Sequence, residues 1–165
     1  MSFTPHDFRK TLSHFATGIT VVTTTTPDGG YYGITVNSIT SVSLNPPLVL
    51  ICIDKKTEAH RLLPLSGVFC ANILEAQQQY LSDRFAGREP DNKTPFADIA
   101  LHTEATGAPV FNESLGFVDC RIVNAYDGGD HTIFLGEVVQ LGYRQGETEP
   151  APLLYYRSNY RTMLG

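Results

Sequence analysis

Apolar and β-branched positions fall in strand-length runs through most of this chain. Residues 19–25 (ITVVTTT) are β-branched without a break, Pro27-Asp28-Gly29-Gly30 supplies a turn, and residues 31–36 resume the run, so the pattern predicts a β-hairpin. Residues 48–53 (LVLICI) and 68–74 (VFCANIL) have the length and composition of buried strands. Between them, residues 57–65 predict a short helix capped by Thr57. Two more strand-length runs, 115–125 and 132–143, flank the turn Tyr126-Asp127-Gly128-Gly129-Asp130-His131, and residues 153–156 are expected to close the sheet.

Helical spacing is confined to short stretches. Phe8, Leu12 and Phe15 recur at i, i+4, i+7 behind Thr4-Pro5, a cap followed by a first-turn proline, which predicts an amphipathic helix within residues 3–15. Residues 75–86 form the best helix by pattern, with Leu74, Leu81 and Phe85 on one face, Glu75 near the start, Arg84 and Arg88 near the end, and Gly87 placed to stop it. Residues 88–113 hold Pro90, Pro95, Gly107 and Pro109 among polar neighbours and read as a long irregular excursion, a feature more often functional than idle. At least six strands, few helices, and 14 glycines with 10 prolines predict a mainly β single domain over residues 1–165, an antiparallel barrel rather than an alternating α/β fold.

Composition narrows the function. With 42% apolar and 18% charged residues the chain can build a real core. Its net charge of −5 and lack of a basic block leave nucleic-acid binding without an electrostatic source. The longest apolar run, residues 48–53, is too short to span a bilayer, and the first ten residues are polar without a hydrophobic signal region, so no membrane role and a cytoplasmic location are expected. Cys52, Cys70 and Cys120 are isolated in apolar stretches and read as buried structural thiols. The five histidines are scattered without a helical zinc spacing, so no metal is assigned. Neither a Rossmann fingerprint nor a P-loop occurs, so any nucleotide must be held by other means.

Two polar clusters stand out against the strands. Thr35, Asn37, Ser38, Thr40, Ser41 and Ser43 crowd into nine residues and break the period-2 pattern of Ile34 and Val36, which predicts a bulge or loop turning N–H groups and hydroxyls toward a ligand; a surface turn rich in Ser and Thr is the alternative. Asp54-Lys55-Lys56-Thr57 follows a buried strand and opens a helix, placing two cations, a hydroxyl and helix N-terminal amides where a phosphate would bind; a solvated loop is the plainer reading of the Lys pair alone.

Residues 17–23 (TGITVVT), residues 33–38 (GITVNS) running through residues 41–49 (SVSLNPPLV), residues 69–74 (FCANIL), Phe85-Ala86-Gly87, residues 128–133 (GGDHTI) and residues 153–156 (LLYY) together resemble the flavin reductase-like family, over nearly the whole chain. The nearest resemblance is to the small reductase components of two-component flavin monooxygenases. It implies a six-stranded antiparallel split β-barrel with short flanking helices, a homodimer that uses NADH or NADPH to reduce FMN, FAD or riboflavin for a partner oxygenase. By the same resemblance Asn37, Ser38, Ile39, Thr40 and Ser41 line the flavin ring edge and ribityl chain, and Asp54, Lys55, Lys56 and Thr57 approach the phosphate. Ala71 and Asn72 border the ring, Phe85 packs nearby, and His131 donates to the nicotinamide. The stretch between Gly87 and Phe111 departs from the family pattern. Reduction of a metal complex by a flavoprotein of this fold, or a non-catalytic flavin-binding barrel, are the alternatives.

Overall fold

The computed structural model describes residues 2–89, 91–146 and 150–163, so Met1 and Pro90 lie outside the described residues. In chain order the strands are β1 (Thr17–Gly18), β2 (Thr20–Thr25), β3 (Tyr31–Val36), β4 (Thr40–Leu44), β5 (Pro47–Asp54) and β6 (Val68–Ile73). There follow β7 (Leu101–Thr103), β8 (Pro109–Phe111), β9 (Gly116–Gly128), β10 (His131–Tyr143), β11 (Leu154–Tyr156) and β12 (Asn159–Arg161). The frame is one antiparallel sheet in the order β3-β2-β6-β9-β10-β5-β4. It has seven strands, within the at least six read from the sequence pattern and one more than the resemblance implied, and the strand the pattern did not read is β4. Most of β4 is exposed, so its Thr40, Ser41 and Ser43 carry no burial signal, and a register shift between Ser41 and Ser43 supplies the expected bulge. Residues 153–156 do not close this sheet. Instead β11 lies between β1 and β12 in a separate three-stranded sheet.

The unbroken apolar and Thr pattern of β2 has a direct cause: both of its faces are buried. Val22 joins one core with Val36, Ile51, Ile53, Leu63, Phe69 and Phe134, while Val21 joins another with Ile19, Leu74, Leu81, Phe85 and Phe111. Threonine hydroxyls in such a strand need partners, and they find carbonyls on neighbouring segments: Thr20 donates to Val36 O (3.1 Å), Thr24 to Val68 O (2.8 Å) and Thr23 to Pro109 O (2.5 Å). As expected, Cys120 is buried in the first of these cores, and Cys70 in a smaller cluster with Ala108 and Val110. Burial, with the nearby Asp119 charge, raises both thiols, pushing Cys120 up to about 12, so both stay protonated and inert.

The helices form where the caps are. α1 (Pro5–Leu12) starts with a reciprocal Thr4–Asp7 capping box, yet its apolar face covers nothing and Phe8, Leu12 and Phe15 remain more than half exposed. α2 (Glu58–Ser66) is capped by Thr57 and ends at Gly67 in the left-handed region. The expected 75–86 helix is three tight pieces, a 3-10 turn (Ala76–Gln78), α3 (Gln79–Asp83) and a π-type turn (Arg84–Arg88) that stops at Gly87 with φ 74°. The break at its start follows from Gln78, whose buried side chain accepts from Glu75 N–H (3.0 Å) and donates to Glu113 O (3.1 Å). Among the described residues no helix is long and apolar enough to cross a membrane.

The 88–113 excursion is more ordered than its composition implied, since β7 and β8 pair within it. Its anchor comes from β6. Asn72 is fully buried, donates to Val21 O (3.2 Å), Thr23 Oγ1 (3.3 Å) and Pro109 O (3.2 Å), and accepts from Phe111 N–H (2.8 Å). Asp119, also buried, accepts from Thr106 N–H (2.9 Å) and from the Thr106 hydroxyl. Removing the Asn72 carboxamide leaves several of these groups unpaired in a dry interior. Asn72→Leu should therefore destabilise the fold by roughly 2–4 kcal/mol in urea unfolding. A loss within the scatter of a surface substitution would remove Asn72 from this role.

Candidate functional site

The site is generated by a corner. β3 and β4 are consecutive in the chain but occupy opposite edges of the sheet, so residues 37–39 must carry the backbone from one edge to the other. Ser38 fastens that corner onto β5: its hydroxyl donates to Cys52 O (2.9 Å) and accepts from Cys52 N–H (3.2 Å). Ile39 packs against the first core, and Asn37 donates to Thr17 Oγ1 (3.2 Å), tying the corner to β1.

Two cavities meet there. One, of about 260 Å³, is bounded by Asn37, Ser38, Cys52, Asp54, Thr57 and His131 with apolar walls from Ile34 and Ile53. The other, of about 150 Å³, is bounded by Ser82, Ala86, Arg88, Tyr155 and Tyr160. Thr35, Val36 and Asn37 line both, so the two cavities flank the end of β3.

At the outer end of the larger cavity, Asp54 organises the loop before α2: its carboxylate accepts from Lys56 N–H (2.8 Å) and its carbonyl accepts from the Thr57 hydroxyl (2.8 Å). Thr57 Oγ1 also accepts from His60 N–H (3.3 Å) as the helix cap. The two lysines part company. Lys55 pairs with Asp127 and donates to Gly129 O (2.6 Å), stapling this loop to the β9–β10 turn and holding the Asp127 carboxyl below the usual carboxylate range. The Lys56 ammonium has no hydrogen-bond or ion-pair partner among the described residues.

His131 opens β10 opposite Asp54 of β5, after a turn in which Gly129 adopts φ 83°. Its Nδ1–H donates to Asp130 Oδ1 (2.7 Å), and this bond lowers the Asp130 carboxyl. Nε2 is left as the uncommitted ring nitrogen, and the side chain is 43% exposed. Partial burial raises the Cys52 thiol, so it lines the cavity as a neutral group rather than a nucleophile.

The smaller cavity is held by a side-chain relay. Tyr160 has one proton and donates it to Asp83 Oδ1 (2.9 Å), so Ser82 is the donor in its 2.9 Å contact with Tyr160. Arg88 donates to the same carboxylate (2.6 Å) and lies over the Tyr160 ring, 5.5 Å from its centroid. The Thr35 hydroxyl donates to Ser82 O (2.7 Å), which locks the cavity to β3.

The structure brings Asn37, Ser38, Asp54, Thr57 and His131 to one cavity, with Lys56 in the adjoining loop. Other expected site residues lie elsewhere. Ala71 and Asn72 are wholly buried, and the Asn72 carboxamide faces β2 and β8, so neither borders the cleft. Phe85 is core: its ring lies directly on Gly33, where an added Cβ would sit 2.7 Å from Cδ1, and it packs with Phe96 and Phe111. Thr40 and Ser41 pair with β5 along the outer edge and line neither cavity. Lys55 is a staple rather than an open cation. Sequence reasoning found Thr35 but missed Ser82, Arg88, Tyr155 and Tyr160. Only the alternation of Tyr155 and Tyr160 across a hairpin could have pointed to the last two, because the turn that delivers Arg88 has no sequence pattern.

Comparison with known proteins agrees with this architecture. The family described as Flavin reductase like domain matches residues 12–164. A flavin-dependent monooxygenase reductase subunit, HsaB of Mycobacterium tuberculosis (strain CDC 1551 / Oshkosh), is 39% identical over 156 residues, 94% of this chain and 81% of that protein. The FMN reductase (NADH) SmoA of Agrobacterium fabrum is 42% identical over 140 residues, 85% of this chain and 78% of its own length. Among solved structures, the NADH:FAD oxidoreductase SgcE6 of Streptomyces globisporus C-1027 superposes with a TM-score of 0.89 at 34% identity, covering 100% of this chain and 98% of that one. With a split antiparallel sheet, a cleft at its corner and a match along nearly all of its length, the chain belongs to the flavin reductase-like domain family.

Proposed function

We propose that this protein is an NAD(P)H-dependent flavin reductase: it takes a hydride from NADH or NADPH to FMN, FAD or riboflavin and supplies the reduced flavin to a flavin-dependent oxygenase. The observation that carries the reading is the cavity at the sheet corner, where Asn37, Ser38, Asp54, Thr57 and His131 meet apolar walls from Ile34 and Ile53 beside the loop that carries Lys56. The loop before α2 suits a flavin phosphate, since it carries the unpartnered Lys56 ammonium and leads into the Thr57-capped N-terminus of α2. When bound, the flavin supplies the redox chemistry, accepting the hydride from the nicotinamide.

The chain's own task is placement. Lys56 and Thr57 hold the phosphate, Asn37 and Ser38 fix the orientation of the polar edge of the ring, and Ile34 and Ile53 exclude water from its apolar part. His131 meets the nicotinamide side. With Nδ1 committed to Asp130, Nε2 is the ring nitrogen left to meet the carboxamide. No nucleophile or general base is needed, in keeping with a neutral Cys52.

A two-fold dimer completes the reading. Val42 and Leu44 on β4, Val123 and Tyr126 on β9, and Val139, Leu141 and Tyr143 on β10 are large apolar side chains left exposed, more than a monomer usually shows water. Three free thiols suit the reducing cytoplasm, where the oxygenase would be met.

Anaerobic mixing with NADH or NADPH should bleach the flavin absorbance of FMN- or FAD-loaded protein; failure with both nucleotides would sink the assignment. Lys56→Ala should weaken FMN and FAD about tenfold and leave riboflavin nearly unchanged, and equal weakening of all three would detach Lys56 from the phosphate. His131→Ala should slow flavin reduction and raise the apparent dinucleotide KM while leaving flavin affinity and Tm near wild type; wild-type reduction rates would end its nicotinamide role. Light scattering at micromolar concentration should give twice the chain mass, and a monomer would refute the dimer.

A further inference from the structure

Of the twelve Lys and Arg residues, five are matched to a carboxylate among the described residues. Lys55, Arg61, Arg84, Arg88 and Arg144 each lie within ion-pair distance of an Asp or Glu. Arg9, Lys10 and Arg157 do not: among the described residues none of their side chains has a hydrogen-bond or ion-pair partner. These three line one groove of about 380 Å³ between α1 and the β11–β12 turn, together with His6, His14, Ser13 and Ser158. No acidic side chain lines it, although the chain as a whole carries a net charge of −5. Asp7, the acidic residue of α1, is turned to the other end of the helix and held by Thr4.

Cations in the last turn of a helix are ordinary, because they offset the macrodipole, and that accounts for Arg9 and Lys10 taken alone. It does not account for Arg157. Tyr156 pairs with Asn159, so Arg157 and Ser158 form a two-residue hairpin loop with φ 49° and 60°. Such a loop favours Asn-Gly, because left-handed backbone is costly for residues with a Cβ. Here both positions carry side chains, and both line the groove. The Arg157 N–H donates to Ser13 O (2.7 Å), which fixes the turn against the end of α1. His14 is held as well, with Nδ1 against Lys10 O (2.8 Å) and its ring edge-on to Tyr156.

From this arrangement we propose that the groove is a binding site for a phosphate-bearing anion of at least two charges, gripped by Arg9, Lys10 and Arg157. It is separate from the corner cleft. Tyr155 lines that cleft and Tyr156 meets His14, and successive side chains of β11 leave opposite faces of its sheet. The proposal does not rest on the flavin assignment. Three uncompensated cations around a concave surface pay a mutual repulsion that a multivalent oxyanion relieves, and a guanidinium is suited to bidentate contact with phosphate oxygens.

Calorimetric titration of the whole protein with pyrophosphate, ADP and inorganic phosphate tests this. The protein is first saturated with riboflavin, which has no phosphate to compete for the groove, and the titration is repeated on Lys56→Ala protein, in which the corner's open cation is gone. Pyrophosphate should bind in both preparations, more tightly than inorganic phosphate, and should weaken as salt rises. ADP binding as well as pyrophosphate means that the phosphates alone are read; ADP binding more tightly assigns part of the groove to a nucleoside. Arg157→Asn with Ser158→Gly relaxes the loop, so Tm should hold or rise while pyrophosphate affinity falls at least tenfold, and Arg9→Ala should lower affinity in the same direction. No heat with pyrophosphate, or unchanged affinity in both variants, would overturn the site.

Discussion

The Asn72 carboxamide is the interaction on which the rest of the architecture depends. It sits on the strand next to β2, the strand shared by both cores, and it satisfies groups on β2 and β8 at once. A polar group that deep is tolerated only when its hydrogen-bonding capacity is filled, and here filling it brings a distant, loop-rich segment onto the sheet. The order then passes outward by contact. Phe111, held through its N–H, packs on Phe85, Phe85 rests on the bare backbone of Gly33, and Gly33 belongs to the strand that runs into the corner. The cleft is thus supported from behind by an aromatic stack whose position is set by one amide.

The corner itself is a consequence of topology. The two edge strands, β3 and β4, are sequence neighbours that do not pair, so three residues bridge the gap and leave an opening. Ser38 makes that opening rigid by taking both polar groups of Cys52. Neighbouring lysines then divide the work: Lys55 joins two loops, and Lys56 is left with its charge open. Adjacent residues in a tight loop point in different directions, which is why a Lys-Lys pair does not act as a doubled cation.

Much of the frame was legible in the sequence because burial and local pattern coincide there. The hairpin of β2 and β3, the buried β5 and β6, the cap at Thr57 and the long β9–β10 ribbon are all written in β-branched runs, turn residues and capping side chains. β4 was hidden because an exposed edge strand of hydroxyl residues has the composition of a loop. The β7–β8 hairpin was hidden because its anchors, Asn72 and Asp119, lie far away in the chain. The site was half legible for the same reason. Asn37, Ser38, Asp54, Thr57 and His131 announce themselves as polar residues at strand ends, whereas Asn72 and Phe85 fall in motif-bearing stretches but point inward. Which way a side chain faces is decided by the partner strand, and no local window contains that strand.

The unmatched positive groups at α1 and the β11–β12 turn also make the molecule electrically lopsided. A body of net charge −5 repels an approaching anion on average, yet a cluster of three positive charges around one groove gives it a local patch of opposite sign. Diffusing anions are therefore turned toward one hemisphere within a Debye length of the surface, about 8 Å at physiological ionic strength. Flavins and nicotinamide dinucleotides are themselves anionic, so the direction from which they arrive is not random, and added salt evens out the approaches as it weakens the field.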